Sequence, residues 1–412
     1  MDMQNLFDKS QKLVERVVGT AVRGLYSQIH WDTKMIGIKG ARGTGKTTLL
    51  LQRMYQLGLS PQKALFVSLD DFYFSNHSLI DVVEVFIRKG GEIIFIDEVH
   101  KYAHWSQQLK NIYDFYDIQI VFTGSSIIDI AQEEGDLSRR AVMYTLGGLS
   151  FREFLDIEYK LSLPVLTMNE LTSTNNVDMW KKFPSSFKPY AYLDDYLKWG
   201  YYPIYKEGKE LYAIKVQQVV RQIVEYDMAE LKNFDIRNAK KILQLLGLIA
   251  NLVPFKPNIS ELSEKTGINR VTLYNYLHFL EEAKLIQLVY PAGISTSTLQ
   301  KPEKIFLENT NLSFILSDTN SPNVGSVRET FVLNQLRNAH HVEIPKSGDF
   351  FVNNKWTLEV GGAKKTKKQL DGIENAFRVL DECEFSTTTG VLPIWMLGCC
   401  IKRGFDLFSN SV

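Results

Sequence analysis

Met35-Ile36-Gly37-Ile38-Lys39-Gly40-Ala41-Arg42-Gly43-Thr44-Gly45-Lys46-Thr47 is the stretch on which the fold turns: an apolar run followed at once by the pattern G-x-x-x-x-G-K-[ST]. Glycine at these places lets the backbone curl until successive N–H groups point inward at phosphate oxygens, and the positive end of the next helix adds to the attraction. A strand before the loop and a helix over 47–57 after it supply the context the pattern requires. Gly40, Ala41, Arg42, Gly43, Thr44, Gly45, Lys46, Thr47 and Thr48 are the expected phosphate-binding residues, with Lys46 reaching the β- and γ-phosphates and Thr47 the Mg2+. ATP and Mg are the cofactors this implies.

On either side of the loop, apolar runs alternate with helical spacing. Strands are expected at 35–38, 64–68, 93–96, 118–123 and 142–146, and helices at 47–57, 78–89, 104–114 and 126–133, after a helix over 10–26. That rhythm predicts an α/β fold with a parallel sheet wrapped by helices. Ser150 caps a short helix over 151–157, and 163–189 turns polar and reads as an insertion or linker. Helical spacing returns over 190–255, and 259–288 reads as two short helices and a strand. The resulting division is 1–160, 161–235, 236–310 and 311–412.

Hydrolysis needs a carboxylate on the metal's shell and a group that orients the attacking water. Ile93-Ile94-Phe95-Ile96-Asp97-Glu98 offers both: a buried strand whose carboxyl end presents Asp97 for Mg2+ and Glu98 as general base. The strand over 118–123 ends in Thr123-Gly124-Ser125-Ser126, where Ser125, or Thr123 after it, can hydrogen-bond the γ-phosphate or the water; a plain strand-to-helix turn with a capping serine fits as well. Arg139 and Arg140, just ahead of the fifth strand, can neutralise charge at the γ-phosphate or form a solvated pair beside Asp136. An arginine acting in trans requires a homo-oligomer.

Acidic and basic residues balance at 47 each and the sequence pI is near 7.1, so no overall field draws the chain to nucleic acid or to an anionic membrane. Cys383, Cys399 and Cys400 fit neither a disulfide framework nor a zinc site. The amino terminus shows no leader pattern, and the longest apolar run, 391–401, is too short for a bilayer, so a soluble cytoplasmic protein with no membrane contact is expected.

The phosphate loop, Ile93 to Glu98, Thr123-Gly124-Ser125-Ser126, Ser138-Arg139-Arg140 and Leu149-Ser150-Phe151-Arg152-Glu153-Phe154-Leu155 together resemble a large family of prokaryotic AAA-superfamily ATPases. Asp195-Tyr196-Leu197-Lys198-Trp199-Gly200-Tyr201-Tyr202-Pro203 is similar to that family's glycine-proline turn. The resemblance implies a P-loop domain, a winged helix and a C-terminal domain resembling PD-(D/E)xK nucleases.

Residues 259–277 have the helix, glycine turn and second helix of a helix-turn-helix, with Leu262, Ile268, Val271 and Leu277 as its core and Asn269, Arg270, Thr272 and Asn275 as exposed readers of DNA. Arg270 is the one cation on the second helix, and packing on a neighbouring protein surface is the alternative. Under the nuclease resemblance, Glu329, Asp349 and Glu359 would share a second metal ion. Gly361 stands where those enzymes carry lysine, so either Lys364 or Lys365 fills the vacant place or the domain is degenerate and serves binding or assembly. The basic run Lys364-Lys365-Thr366-Lys367-Lys368 can meet a phosphate backbone or be a solvated helix start. Two functions stand side by side: an ATPase whose nucleotide state governs the later domains on nucleic acid or a protein partner, and an ATP-dependent assembly or sensor scaffold that touches no nucleic acid.

Overall fold

Ile93-Ile94-Phe95-Ile96 has no polar position on either side of its pleat, as suits a strand covered on both faces. The computed structural model, which describes residues 3–126, 137–173, 179–231, 234–251, 258–293, 301–318, 321–363, 366 and 368–400, places it as an interior strand of a sheet. The chain divides into two compact units, Met1–Gly148 and Leu149–Val412.

In the first unit the elements run α1 (Gln4–Glu15), β1 (Met35–Gly40), α2 (Lys46–Leu57), β2 (Ala64–Ser68), α3 (Leu79–Arg88), β3 (Ile93–Asp97), α4 (Trp105–Phe115), β4 (Gln119–Ser125) and β5 (Val142–Thr145). Their strands lie in the order β2-β3-β4-β1-β5, every neighbouring pair parallel. Period-two alternation divides the apolar side chains between the faces: Ile94 and Ile96 join Ile120 and Phe122 on one, and Ile93 and Phe95 join Ile36, Ile38 and Val121 on the other. Because the strands are parallel, Gly40, Asp97 and Ser125 finish on the same edge, with β4 between β1 and β3.

The expected strands and helices of this unit are present within two residues of their expected ends, with two exceptions. The first helix occupies Gln4–Glu15 rather than 10–26, because the backbone turns at Gly19 (φ 72°) and leaves Val18 exposed although its spacing is helical. The helix expected over 126–133 lies, from 127 on, outside the described residues.

The second unit opens with α5 (Phe151–Tyr159), whose Ser150 and Glu153 form a reciprocal capping box. The polar stretch after it is not a bare linker. It contains α6 (Met168–Leu171), and it sends Phe183 and Phe187 against Trp395 at ring separations of 5.1 and 5.4 Å. Aromatic anchors spaced widely among polar residues escape a test for periodicity. Next come α7 (Tyr190–Trp199), α8 (Tyr212–Gln222), α9 (Ala239–Asn251), α10 (Ile259–Thr266), α11 (Arg270–Glu282) and an antiparallel ribbon of β6 (Ile286–Val289) with β7 (Lys304–Leu307). Gly267 turns α10 into α11 at φ 62°, as the spacing predicts. Val271, however, is exposed; the apolar face of α11 is Leu273, Tyr276, Leu277 and Leu280. The chain then runs through α12 (Thr310–Leu316), α13 (Val324–Arg337), β8 (Val342–Glu343), β9 (Phe350–Val352), β10 (Trp356–Gly361), β11 (Ala376–Leu380) and β12 (Val391–Pro393). Its sheet, ordered β12-β11-β10-β9-β8, is parallel from β10 to β12 and antiparallel from β8 to β10. Among the described residues no helix is long and apolar enough to cross a membrane.

Glu308 follows β7 inside this unit, and burial pushes its carboxyl up to about 7, while Lys284 and Arg337 and a hydrogen bond from Tyr201 Oη at 3.3 Å work in the opposite direction. The folded state thus favours the protonated acid. Stability from this group is complete below the ordinary value of 4.5, declines as pH rises, and is gone above about 7. Glu308→Gln is expected to flatten this part of the pH dependence, a difference of about 3 kcal/mol between its limits. Urea unfolding of both proteins from pH 5 to 8 measures it; parallel curves would refute it.

Candidate functional site

β1 ends at Gly40, where even a methyl group would stand 2.2 Å from the Leu146 carbonyl oxygen. Glycine is therefore required for close approach here, and Gly43 (φ 79°) and Gly45 (φ 92°) supply left-handed turns that other residues rarely adopt. Between them Thr44 is buried, its Oγ1 donating to the Ala41 carbonyl at 2.9 Å. Buried Lys46 opens α2 and donates from Nζ to the carbonyls of Gly40 (2.9 Å) and Ala41 (3.0 Å), so its ammonium lies within the loop. Arg42 and Thr47 are half-buried and Thr48 is exposed.

Asp97 ties this loop to the neighbouring strands. Thr47 Oγ1 donates to its Oδ2 at 2.6 Å, and Thr123 Oγ1 at the end of β4 donates to its Oδ1. Thr123 Oγ1 also accepts the Glu98 backbone N–H at 3.2 Å. Thr47 and Asp97 thus stand together as a hydroxyl and a carboxylate, the oxygen pair that suits Mg2+ beside a phosphate, and Lys46 supplies the cation for the anion itself.

Glu98 adopts a left-handed backbone conformation (φ 52°, ψ 42°), strain typical of a side chain aimed for a purpose. Burial pushes its carboxyl above the ordinary range; Lys46 and Arg42 oppose the shift, while Asp97 and Asp70 add to it. Its Oε2 lies 3.2 Å from Nε2 of His100, a wholly buried imidazole. On the ring's other side, Nδ1 accepts the Ser125 backbone N–H at 3.2 Å. Ser125 therefore joins the site through its main chain. The neighbouring Ser126 Oγ is buried with no hydrogen-bond partner among the described residues.

Two participants escaped sequence reasoning. His100 carries a signal in hindsight, three residues beyond the acid that ends β3. Arg23 carries none: its guanidinium donates to the carbonyls of Thr44 (2.8 Å), Gly147 (2.9 Å) and Gly148 (2.8 Å), fastening the loop to the chain leaving β5.

The arginine pair sits differently from expectation. Arg140 grips Asp114 with two bonds of 2.8 Å, Nε to Oδ1 and Nη2 to Oδ2. Both arginines precede β5, whose first residue pairs with Ile36 of β1, so they occupy the edge where strands begin. The phosphate loop leaves the opposite edge, roughly 13 Å away at about 3.3 Å per residue. Arg140 is thus paired to α4 at the edge where the strands begin, away from this chain's loop. Arg139 is exposed.

In the second unit, Glu329 on α13 and Asp349 ahead of β9 converge, but on an amine: Lys304 Nζ of β7 lies 2.9 Å from Glu329 Oε2 and 3.5 Å from Asp349 Oδ1. The other Asp349 oxygen accepts the Val360 N–H at 2.8 Å. Glu359 is buried on β10 beside Gln369, whose amide, oriented to donate, lies 3.0 Å from Oε2. Among the described residues no group of three or more His, Cys, Asp or Glu is disposed to hold a metal ion. The expected carboxylate trio therefore gives way to a carboxylate pair closed by lysine. That lysine comes from β7, upstream of the strand where the resemblance sought it; Lys364, Lys365 and Lys367 lie outside the described residues. On α11, Asn269 is spent as the helix cap, accepting the Thr272 N–H at 3.0 Å, whereas Arg270 and Asn275 are exposed and Thr272 is half-buried.

Residues 32–155 match a family model described as an AAA domain, and residues 190–323 one described as a domain of unknown function (DUF8612). The chain carries an AAA-type P-loop ATPase domain. The uncharacterized protein MJ1637 of Methanocaldococcus jannaschii is 30% identical over 285 residues, covering 66% of this chain and 60% of that protein. MJ1544 of the same organism, also uncharacterized, is 25% identical over 330 residues, covering 74% and 67%. The chain thus spans three fifths of the length of the first and two thirds of the second. Similar solved structures include the Aeropyrum pernix ORC1 protein in complex with DNA (12% identity, 76% of this chain and 91% of that one, TM-score 0.32). The Saccharomyces cerevisiae Hsp104–ADP complex (16%, 68% and 39%, TM-score 0.26) and Caenorhabditis elegans PCH-2 (12%, 66% and 68%, TM-score 0.23) are further matches.

Lys304 is the cation paired with two carboxylates in a place where each of the three side chains is less than one-fifth exposed. Lys304→Met leaves that pair without its cation and is expected to cost roughly 3–5 kcal/mol near neutral pH. Adding Glu329→Met should recover part of the loss. Chemical denaturation of the single and double variants checks both statements, and a single variant as stable as the parent would contradict them.

Proposed function

We propose that this protein is an Mg-dependent ATPase whose nucleotide state controls the modules that follow its AAA domain. The observation that carries the proposal is the grip of Thr47 and Thr123 on the two oxygens of Asp97, which ties the phosphate loop to the acidic strand and to the strand between them. Mg2+, when bound, would supply neutralisation of the charge that develops in phosphoryl transfer. Thr47 and Asp97 are the residues that would hold it. Lys46 binds the phosphates, Glu98 takes the proton of the attacking water, and the end of β4 senses the γ-phosphate. Arg139, exposed at the far edge of the sheet, suits a role in trans on a neighbouring subunit's nucleotide, which makes the working form a homo-oligomer.

For the later modules, helices α9 to α11 and the β6–β7 ribbon support a winged helix, and α13 with the mixed sheet β8–β12 supports a degenerate nuclease-like domain. Lys304 between Glu329 and Asp349 favours binding or assembly over cleavage. DNA is the partner proposed for the exposed Arg270 and Asn275 on α11. The scaffold reading, with nucleotide-dependent assembly and no nucleic acid, draws support from the exposed Val271 on that same helix, an apolar side chain suited to a protein surface.

Lys46→Ala is expected to abolish ATP binding in calorimetry, and Glu98→Gln to bind ATP but turn it over at least about 100-fold more slowly. Wild-type turnover in Glu98→Gln removes the general-base role. For the winged helix, affinity for duplex DNA should fall steeply between 50 and 200 mM salt and weaken in Arg270→Ala, by roughly 1 kcal/mol or more. Binding that ignores salt, or assembly with ATP and no DNA affinity, favours the scaffold.

A further inference from the structure

We infer that His100 is the positioning residue that holds the Glu98 carboxylate for water activation, and that it does so from the sensor strand β4. The inference rests on the ATPase proposal and adds to it a tautomer and a direction of communication. A backbone N–H can only donate, so the Ser125 amide at 3.2 Å from Nδ1 fixes that nitrogen as an acceptor. In the neutral ring the proton then belongs to Nε2. That nitrogen lies 3.2 Å from Glu98 Oε2, an acceptor when ionised. The Ser125 hydrogen bond at Nδ1 and the Glu98 ion-pair contact at Nε2 stand on opposite sides of a wholly buried ring, so water does not compete for either nitrogen.

Glu98 is held at two points by the same strand. Thr123 Oγ1 accepts its backbone N–H, and Ser125 reaches its side chain through His100. Both points lie at the end of β4, between the phosphate loop and Asp97, where the γ-phosphate would be met. A shift of that strand end on nucleotide binding moves the imidazole and with it the carboxylate. His100, its ring wholly buried and in contact with Glu98, is proposed to act through that residue.

Glutamine can reproduce both contacts, its carbonyl accepting from Ser125 N–H and its amide donating to Glu98, whereas methionine fills similar space and reproduces neither. Steady-state ATP turnover and equilibrium ATP binding are measured for wild type, His100→Gln, His100→Met and Glu98→Gln. His100→Met is expected to lose ~10–100-fold in kcat with unchanged ATP affinity, and His100→Gln to recover most of it. Wild-type turnover in His100→Met, or equal losses in Met and Gln, overturns the inference. If Glu98→Gln is slow while His100→Met is fully active, this inference fails and the ATPase proposal stands; a fast Glu98→Gln ends the inference together with the general-base role. Should His100→Met not fold, 15N spectra of histidine-labelled wild type decide, with the His100 signal assigned by its absence in His100→Gln. An Nε2-protonated ring supports the inference, and an Nδ1-protonated or exchanging ring overturns it.

Discussion

The carboxylate of Asp97 is the point at which three parts of the first unit are held to one another. It closes a buried strand and accepts from a hydroxyl on the phosphate loop's helix and from another on β4. A carboxylate this buried is costly unless each oxygen is hydrogen-bonded, and both are. The sheet order makes the arrangement possible: with β4 between β1 and β3, the threonine that ends up beside Asp97 is also the residue that holds the next peptide, at Glu98. Removing the acid would therefore loosen the geometry on both sides of it.

Strain and burial at Glu98 belong to the same construction. The left-handed backbone turns the side chain away from the path of the strand, and the buried setting raises its affinity for a proton. The end of β4 meets Glu98 twice, at its backbone N–H through Thr123 and near its carboxylate through His100, which is held by the Ser125 N–H. Lys46 opposes the effect of burial, so the charge of the loop lysine is coupled to the protonation of Glu98.

Sequence revealed the parts of this site that depend on local spacing and missed those that depend on tertiary position. Gly40, Gly43, Gly45, Lys46 and Thr47 follow from a loop that only a few residue types can form, and Ile93 to Asp97 from a run too apolar to be exposed on either face. Strand order was not legible, and on it depend Thr123's grip on Asp97, the placement of Arg140 at the far edge, and the fastening of Thr44 by Arg23. Val271 was assigned to a core because it is apolar, although the 3.6-residue period that selects Leu273, Tyr276 and Leu280 turns it outward. Phe183 and Phe187 were missed for the opposite reason: each anchors a stretch whose remaining composition is polar.

The two carboxylate sites of this chain show how the same acid groups take opposite roles according to what donates to them. Asp97 is met by two neutral hydroxyls, one on each oxygen, which bring no positive charge to it. Glu329 and Asp349 are met by the single ammonium of Lys304, which pairs with both and offsets one of their two charges. A divalent ion entering there must displace a tethered, partly buried cation, whereas at Asp97 it displaces nothing charged. The difference comes from one side chain on β7, a strand outside the mixed sheet. By closing the carboxylate pair, that side chain also holds the ribbon to α13. The lysine that fills the second site serves instead as a connection between successive elements of the second unit.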